Sequence, residues 1–315
     1  CGKTTEKDII NDLTKKLEKA NSYSLTGVLK LINEEESYIY DVSVAYQSKD
    51  KFKVNLVNQT NNHEQIILRN ENGVYVLTPS LKKSFKFESD WPYNNSQIYI
   101  LQSLIDDING DKKYNFKETK DGYIFRTTVN YPNNSNLVKQ KIYLDKKNNL
   151  KKVEVLNRES KVQMTMKFNN IKLNEKFNKQ YFDLNKNLEV SKQEEETKIV
   201  SKVEDGIYPM YLPTNTYLDK EDKVSKENGE RIIMTFSGEK PFMMIQETIE
   251  TSENQIIPVS GEPTLLPDSI SAMSENEIVW VNNGIEYYIV SNELKNDELM
   301  KVAKSIGVAS VVNQK

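Results

Sequence analysis

From residue 23 the chain repeats with a period of two. Tyr38, Tyr40, Val42, Val44 and Tyr46 alternate with Ile39, Asp41, Ser43 and Ala45, and Phe52, Val54 and Leu56 alternate with Lys51, Lys53 and Asn55. Successive side chains on a strand point to opposite faces, so this spacing predicts strands with one apolar and one wetted face. Further strand-like runs cover 24–33, 64–70, 73–79, 82–87, 122–130, 138–145, 150–157 and 161–169. Turn-forming residues separate them: Asn70-Glu71-Asn72-Gly73, Asp121-Gly122, Pro132-Asn133-Asn134 and Lys147-Asn148-Asn149. The expectation is about ten short antiparallel strands joined in sequence as a meander.

Two segments break this period. Ile9, Ile10, Leu13, Leu17 and Ala20 recur at helical spacing over 5–20, and Thr5 with Asp8 supplies a capping box. Ile98, Leu101, Leu104, Ile105 and Ile108 predict a second helix over 96–109. A helix inserted into a meander must bury its apolar stripe, and the concave side of a curled sheet is where it can do so. After the highly charged stretch 189–204, which includes Glu194-Glu195-Glu196, a smaller unit begins. Strands are expected there near 230–237, 241–250, 276–281 and 284–290. A closing helix is expected over 296–306, stopped by Gly307. The division is thus a tether at 1–4, a first domain at 5–188, a charged linker at 189–204 and a small α+β domain at 205–315.

The chain offers little to catalysis. It has one cysteine and one histidine in 315 residues, which excludes an internal disulfide and multi-cysteine zinc or iron–sulfur sites. Any Ser-His-Asp triad would need His63, which lies in the polar turn Asn61-Asn62-His63-Glu64, and no G-x-S-x-G elbow is present. Asp107, Asn109, Asp111, Asn115 and Glu118 match positions 1, 3, 5, 9 and 12 of a calcium loop, but Lys112 replaces its glycine and a strand follows it. No enzyme, metal or cofactor is expected. Arginine occurs 4 times against 39 lysines, which argues against nucleic-acid readout.

The single cysteine is Cys1. Followed by the small, polar Gly2-Lys3-Thr4-Thr5, it reads as a bacterial lipoprotein whose signal peptide has been removed, its cysteine acylated and held at a membrane outside the cytoplasm. No stretch approaches the ~20 apolar residues of a membrane-spanning helix. The net charge of −3 conceals an asymmetry. Residues 1–188 carry 31 basic and 23 acidic groups, and residues 189–315 carry 12 and 23, so the half next to Cys1 is +8 and the other −11. The basic half would lie nearest an anionic bilayer. The strands also hold many large apolar residues. Tyr38, Tyr40, Val42, Val44, Tyr46, Phe52, Val54, Leu56, Phe85 and Phe87, with Leu101 and Leu104 of the inserted helix, form either a packed core or a cavity for acyl chains or a hydrophobic peptide.

An N-terminal helix, a long meander and a helix inserted midway resemble the LolA/LolB family of lipoprotein carriers. The stretch Ile67-Leu68-Arg69-Asn70-Glu71-Asn72-Gly73-Val74-Tyr75-Val76-Leu77-Thr78-Pro79, then Lys82 to Phe87, is similar to that family's strand–turn–strand. Phe168-Asn169-Asn170-Ile171-Lys172-Leu173-Asn174, leading to Phe182, is similar to its closing strand and helix. In the C-terminal part, Tyr211-Leu212-Pro213, Val279-Trp280, Gly284 to Tyr288 and Leu299 to Ile306 resemble a small domain of extracytoplasmic proteins in spore-forming Gram-positive bacteria. The combination resembles the YdcC-type sporulation lipoproteins, which are similar to the germination lipoprotein GerS. The resemblance implies a mainly β fold with helices, an open antiparallel half-barrel covered by helices, joined to the smaller α+β domain. It implies no enzymatic activity. It points to a membrane-anchored binding or scaffold protein of the cell or spore envelope, with a peptidoglycan-modifying enzyme as the kind of partner. A lipid or lipoprotein carrier and an RseB-like envelope sensor are the alternatives, and edge strands of an unclosed sheet would allow a homodimer.

Overall fold

The computed structural model describes residues 5–189, 206–227, 229–249 and 254–312, with side chains to residue 306. The lipidation expected at Cys1 and, beyond Glu189, the charged linker lie outside the described residues. In chain order the first elements are helix α1 (Glu6–Glu18) and strands β1 (Ser22–Asn33), β2 (Glu36–Gln47), β3 (Lys51–Asn58), β4 (Glu64–Asn70), β5 (Gly73–Thr78) and β6 (Lys83–Phe87). Helix α2 (Leu101–Gly110) follows, then β7 (Asn115–Glu118), β8 (Gly122–Thr128), β9 (Leu137–Asp145), β10 (Leu150–Asn157) and β11 (Val162–Leu173). The remainder is α3 (Leu184–Leu188), β12 (Thr216–Lys226), β13 (Gly229–Gly238), β14 (Phe242–Thr248), β15 (Gln255–Val259), β16 (Glu262–Leu265), β17 (Ile270–Met273), β18 (Glu277–Asn282), β19 (Ile285–Val290) and α4 (Asn296–Val312). The protein is mainly β and its sheets are open.

Contacts divide the chain into two compact units. One is Cys1–His63, Leu68–Asn72 and Asp90–Phe182; the other is Glu64–Ile67, Gly73–Ser89 and Asp183–Lys315. Strand β4 is therefore divided, and β5 and β6 group with the C-terminal residues.

In the first unit the strands run in the order β3-β2-β1-β11-β10-β9-β8-β7. All neighbours are antiparallel. This corrects the expected meander in sequence order. There are two meanders, and their ends pair from Tyr23↔Leu173 to Leu31↔Met164. Local periodicity fixes which face of a strand is apolar, but pairing between strands so distant in sequence has no local signal. Gly27 sits where that register shifts, and a Cβ there would lie 2.2 Å from the Lys167 carbonyl oxygen, so only glycine allows the approach. The inward face buries Tyr23, Leu29, Val42, Val54, Phe125, Ile142, Val153 and Met166.

Helix α1 begins as its capping box predicts. The Thr5 N–H donates to Asp8 Oδ2 at 2.8 Å, and the Asp8 N–H donates to Thr5 Oγ1 at 3.3 Å. Helix α2 starts later than the expected 96–109. Its N-cap, Ile100, is extended and has no capping side chain. The Tyr23 hydroxyl instead accepts from the Leu101 N–H at 3.4 Å and donates to Gln102 Oε1 at 2.8 Å. The Gln97 N–H is satisfied by Ser103 Oγ at 2.7 Å, so 96–100 stays irregular while Ile98 is still buried.

In the second unit β5 and β6 are antiparallel, and β15 lies parallel to β6 from Gln255↔Lys83 to Val259↔Phe87. A seven-stranded sheet has the order β12-β13-β14-β19-β18-β17-β16. Its core gathers Met234, Phe236, Phe242, Met244, Trp280, Tyr287 and Ile289 with Leu299, Val302 and Ile306 of α4. Phe236 stacks on Phe242 with centroids 4.2 Å apart, and Trp280 on Tyr287 at 4.9 Å. Strand β12 has no signature in the sequence because it lies at the sheet edge and is exposed almost throughout, which leaves no apolar alternation. Helix α4 does not stop at Gly307 but runs to Val312. A lone glycine costs a helix interior about 1 kcal/mol, which weakens it without ending it. Lys83 and Glu286, both buried, form an ion pair, and the Tyr288 hydroxyl donates to the other oxygen of Glu286 at 2.7 Å.

Candidate functional site

The first unit contains a cleft of about 330 Å³. Leu13 and Leu17 of α1 form one wall and Leu101, Leu104, Ile105 and Ile108 of α2 another. The sheet contributes Ile142 and Leu144 from β9, Leu150 from β10 and Phe168, Ile171 and Leu173 from β11. The polar lining residues are Asn148, Asn149, Asn169 and Asn170 together with Lys16 and Lys151. Leu13, Leu17, Leu101 and Ile105 are only half-buried and Leu173 is exposed. These helices therefore present apolar surface that their own packing does not consume, and amides and ammonium groups beside it suit a ligand with an apolar body and a polar end.

Polar contacts hold the walls. Asp12 of α1 takes Lys16 at 2.7 Å and Asn148 Nδ2, from the turn between β9 and β10, at 3.1 Å. The Lys16 ammonium holds the Asp12 carboxyl below its ordinary range. The Tyr114 hydroxyl donates to Glu6 of α1 at 3.2 Å. On α2, Asp107 accepts from Ser96 Oγ at 2.9 Å and from Gln140 Nε2 of β9 at 2.7 Å. Burial pushes the Asp107 carboxyl up to about 6, against the lowering effect of those two hydrogen bonds. The wholly buried hydroxyl of Tyr131, which feels the Asp107 charge, has no hydrogen-bond partner among the described residues.

Of the twelve apolar positions singled out in the sequence, Leu101 and Leu104 line this cleft. Tyr38, Tyr40, Val42, Val44, Phe52, Val54 and Leu56 are buried on the inward faces of β2 and β3. Tyr46 is half-buried between Tyr23 and Phe52, with ring centroids at 5.3 and 4.9 Å. Phe85 and Phe87 are buried on β6 in the second unit. Periodicity alone does not mark the walls from α1, β9 and β11 as a site. The stripe of Leu13 and Leu17 was visible as helix periodicity, but its meeting with Phe168 and Leu173 depends on the β1–β11 pairing.

The calcium-loop match does not converge. Asp107 is bound as described, Asp111 accepts from the Thr128 N–H at 2.8 Å, and Glu118 on β7 pairs with Lys146 at 3.0 Å. Among the described residues, no group of three or more His, Cys, Asp or Glu is placed to hold a metal ion. Also among them, no helix is long and apolar enough to cross a membrane. His63 closes the turn before β4, its carbonyl accepting from the Asn58 N–H at 3.0 Å.

Fold and cleft together define a mainly β, open-sheet protein with an apolar cleft walled by two helices. No family model matches the sequence. The chain is 36% identical over 311 residues to sporulation protein YdcC of Bacillus subtilis (strain 168), spanning 97% of this chain and 91% of that protein. It therefore belongs to the YdcC family. It is similar in structure to a chain of the complex between the CwlD amidase and the GerS lipoprotein of Clostridioides difficile, at 18% identity and a TM-score of 0.31 over 53% of this chain and 95% of that one. A LolA superfamily protein of Nitrosomonas europaea is similar at 10% identity and a TM-score of 0.32, covering 56% of this chain and 98% of that one.

Proposed function

We propose that this protein is a non-catalytic, sporulation-associated binding protein of the cell envelope. In this reading it is anchored outside the cytoplasm through an acylated Cys1, and it presents the cleft between α1 and α2 to an apolar segment of another envelope protein. The first unit then acts as a LolA-like half-barrel covered by its helices, and Leu101 and Leu104 belong to the ligand-contacting wall. The observation that carries the reading is apolar surface left half-exposed on both helices around a cleft of about 330 Å³. A water-soluble domain keeps such surface when something else is to cover it. Membership of the YdcC family supports the link to sporulation, and the resemblance to GerS-type lipoproteins suggests a peptidoglycan-modifying enzyme as partner.

The test is photo-crosslinking in sporulating cells with a reactive group at Ile105 of the full chain. A discrete envelope protein should be captured, and the capture should be lost with Leu17→Asp. Recovery of background alone would sink the protein-binding reading. The leucine lining equally favours acyl chains, the second reading. Mass spectrometry of protein purified without detergent would then show a bound lipid, which Leu17→Asp displaces.

A further inference from the structure

On the outward face of the first unit's sheet, opposite the buried side chains, the strand registers gather basic residues that are scattered in the sequence. Arg126 lies beside Lys141, Lys141 beside Glu154, Glu154 beside Thr165, and Thr165 beside Lys30. In the adjoining row Tyr143 lies beside Lys152, Lys152 beside Lys167, and Lys167 beside Val28. Five strands carry these rows, so the basic band is about 19 Å wide at the usual strand spacing.

Lys30, Arg126 and Lys167 are exposed and Lys141 is half-exposed. None of the four forms an ion pair with a described residue. The one carboxylate inside the band, Glu154, is already occupied: Lys152 binds one oxygen at 2.7 Å and the Tyr143 hydroxyl donates to the other at 2.7 Å. The Lys152 ammonium also lies 4.1 Å from the Tyr143 ring centroid. Asp41, at the far edge on β2, accepts from Gln59 at 2.8 Å. Val28, Ile124 and Tyr143 stand half-buried among the cations, so the face mixes positive charge with modest apolar contacts.

We propose that this outward face is a docking plane for the anionic lipid headgroups of a bilayer. Charge complementarity assigns the occupant. A broad sheet face with unpaired ammonium groups spaced across it matches a plane of dispersed phosphates, and its shallow aromatic and aliphatic side chains suit the headgroup boundary. The scarcity of arginine fits electrostatic contact with a fluid surface better than bidentate recognition of a fixed phosphate array. The inference stands on the face itself and does not require acylation at Cys1 or a ligand in the cleft.

The test is sedimentation of the full, non-acylated chain with vesicles of phosphatidylcholine containing 30% phosphatidylglycerol, against vesicles of phosphatidylcholine alone. Binding is expected only to the anionic vesicles and should be lost by about 0.5 M salt. The variant Lys30→Glu/Lys141→Glu/Lys167→Glu should bind at least about tenfold more weakly, since each cation near such a surface is worth about a fivefold change. Lys220→Glu/Lys295→Glu/Lys301→Glu, which makes the same charge change in the second unit, should bind like the parent chain. Circular dichroism establishes that both variants are folded. Equal loss in the two variants, absence of binding by the parent chain, or equally tight binding to soluble polyglutamate would each overturn the assignment.

Discussion

Asp107 should make the stability of α2 depend on pH in a direction opposite to that of most carboxylates. Its ordinary pKa of 3.8 rises to about 6 in the folded protein, because burial disfavours the charged form more than Ser96 and Gln140 favour it. The native state therefore binds a proton more tightly than the unfolded chain. Between about pH 4 and pH 6 stability falls as pH rises, and above that the cost of the buried charge is constant. A shift of this size corresponds to about 3 kcal/mol, which we reduce to about 2 because the group keeps some contact with water. Asp107→Asn removes the ionisation and keeps the shape. Its amide nitrogen can donate to Ser96 Oγ while its oxygen still accepts from Gln140 Nε2. The variant should match the parent near pH 4 and exceed it by about 2 kcal/mol near pH 7.5. Denaturant unfolding at the two pH values measures this, and subtracting parent from variant cancels the other titrating groups. Parallel stability curves over that range would refute the buried-charge argument.

Two further outcomes test the packing. Lys83→Met should cost about 3–5 kcal/mol, since it leaves Glu286 charged and buried, and Lys83→Met/Glu286→Leu should recover most of it in thermal unfolding. Tyr23→Phe removes the hydroxyl that serves both the Leu101 N–H and Gln102. It should lower stability by about 1 kcal/mol and speed amide exchange in the first turn of α2.

Much of the first unit is legible in the sequence because each strand keeps one face dry. Tyr38 to Val44 and Phe52 to Leu56 alternate, and the structure buries Tyr38, Tyr40, Val42, Val44, Phe52, Val54 and Leu56, whereas the pattern breaks at the end of β2, where Ala45 is buried and Tyr46 half-buried. The capping box at Thr5 is equally local. Features made by distant partners were not legible. The start of α2 depends on a tyrosine from β1, and the cleft floor depends on β11 returning to β1. Strand β15, Gln-Ile-Ile-Pro-Val, is too short and carries a proline, so nothing marks it as a partner of β6. The candidate site followed the same rule: helix stripes could be read, while the sheet residues they would meet could not. The basic outward face was invisible for a related reason. Its lysines alternate with core residues along each strand and become neighbours only through pairing.

The parallel pairing of β15 with β6 also sets an order of events during synthesis. Ser84 and the residue it meets on β15, Gln255, are 171 positions apart. At about 5–20 residues per second a ribosome takes roughly 10–30 s to make that length of chain. For that interval β6 has emerged without the strand that will cover its edge, so an open edge is presented to any neighbouring nascent chain. A helper that shields this edge until residues 255–259 emerge would therefore raise the yield of native protein.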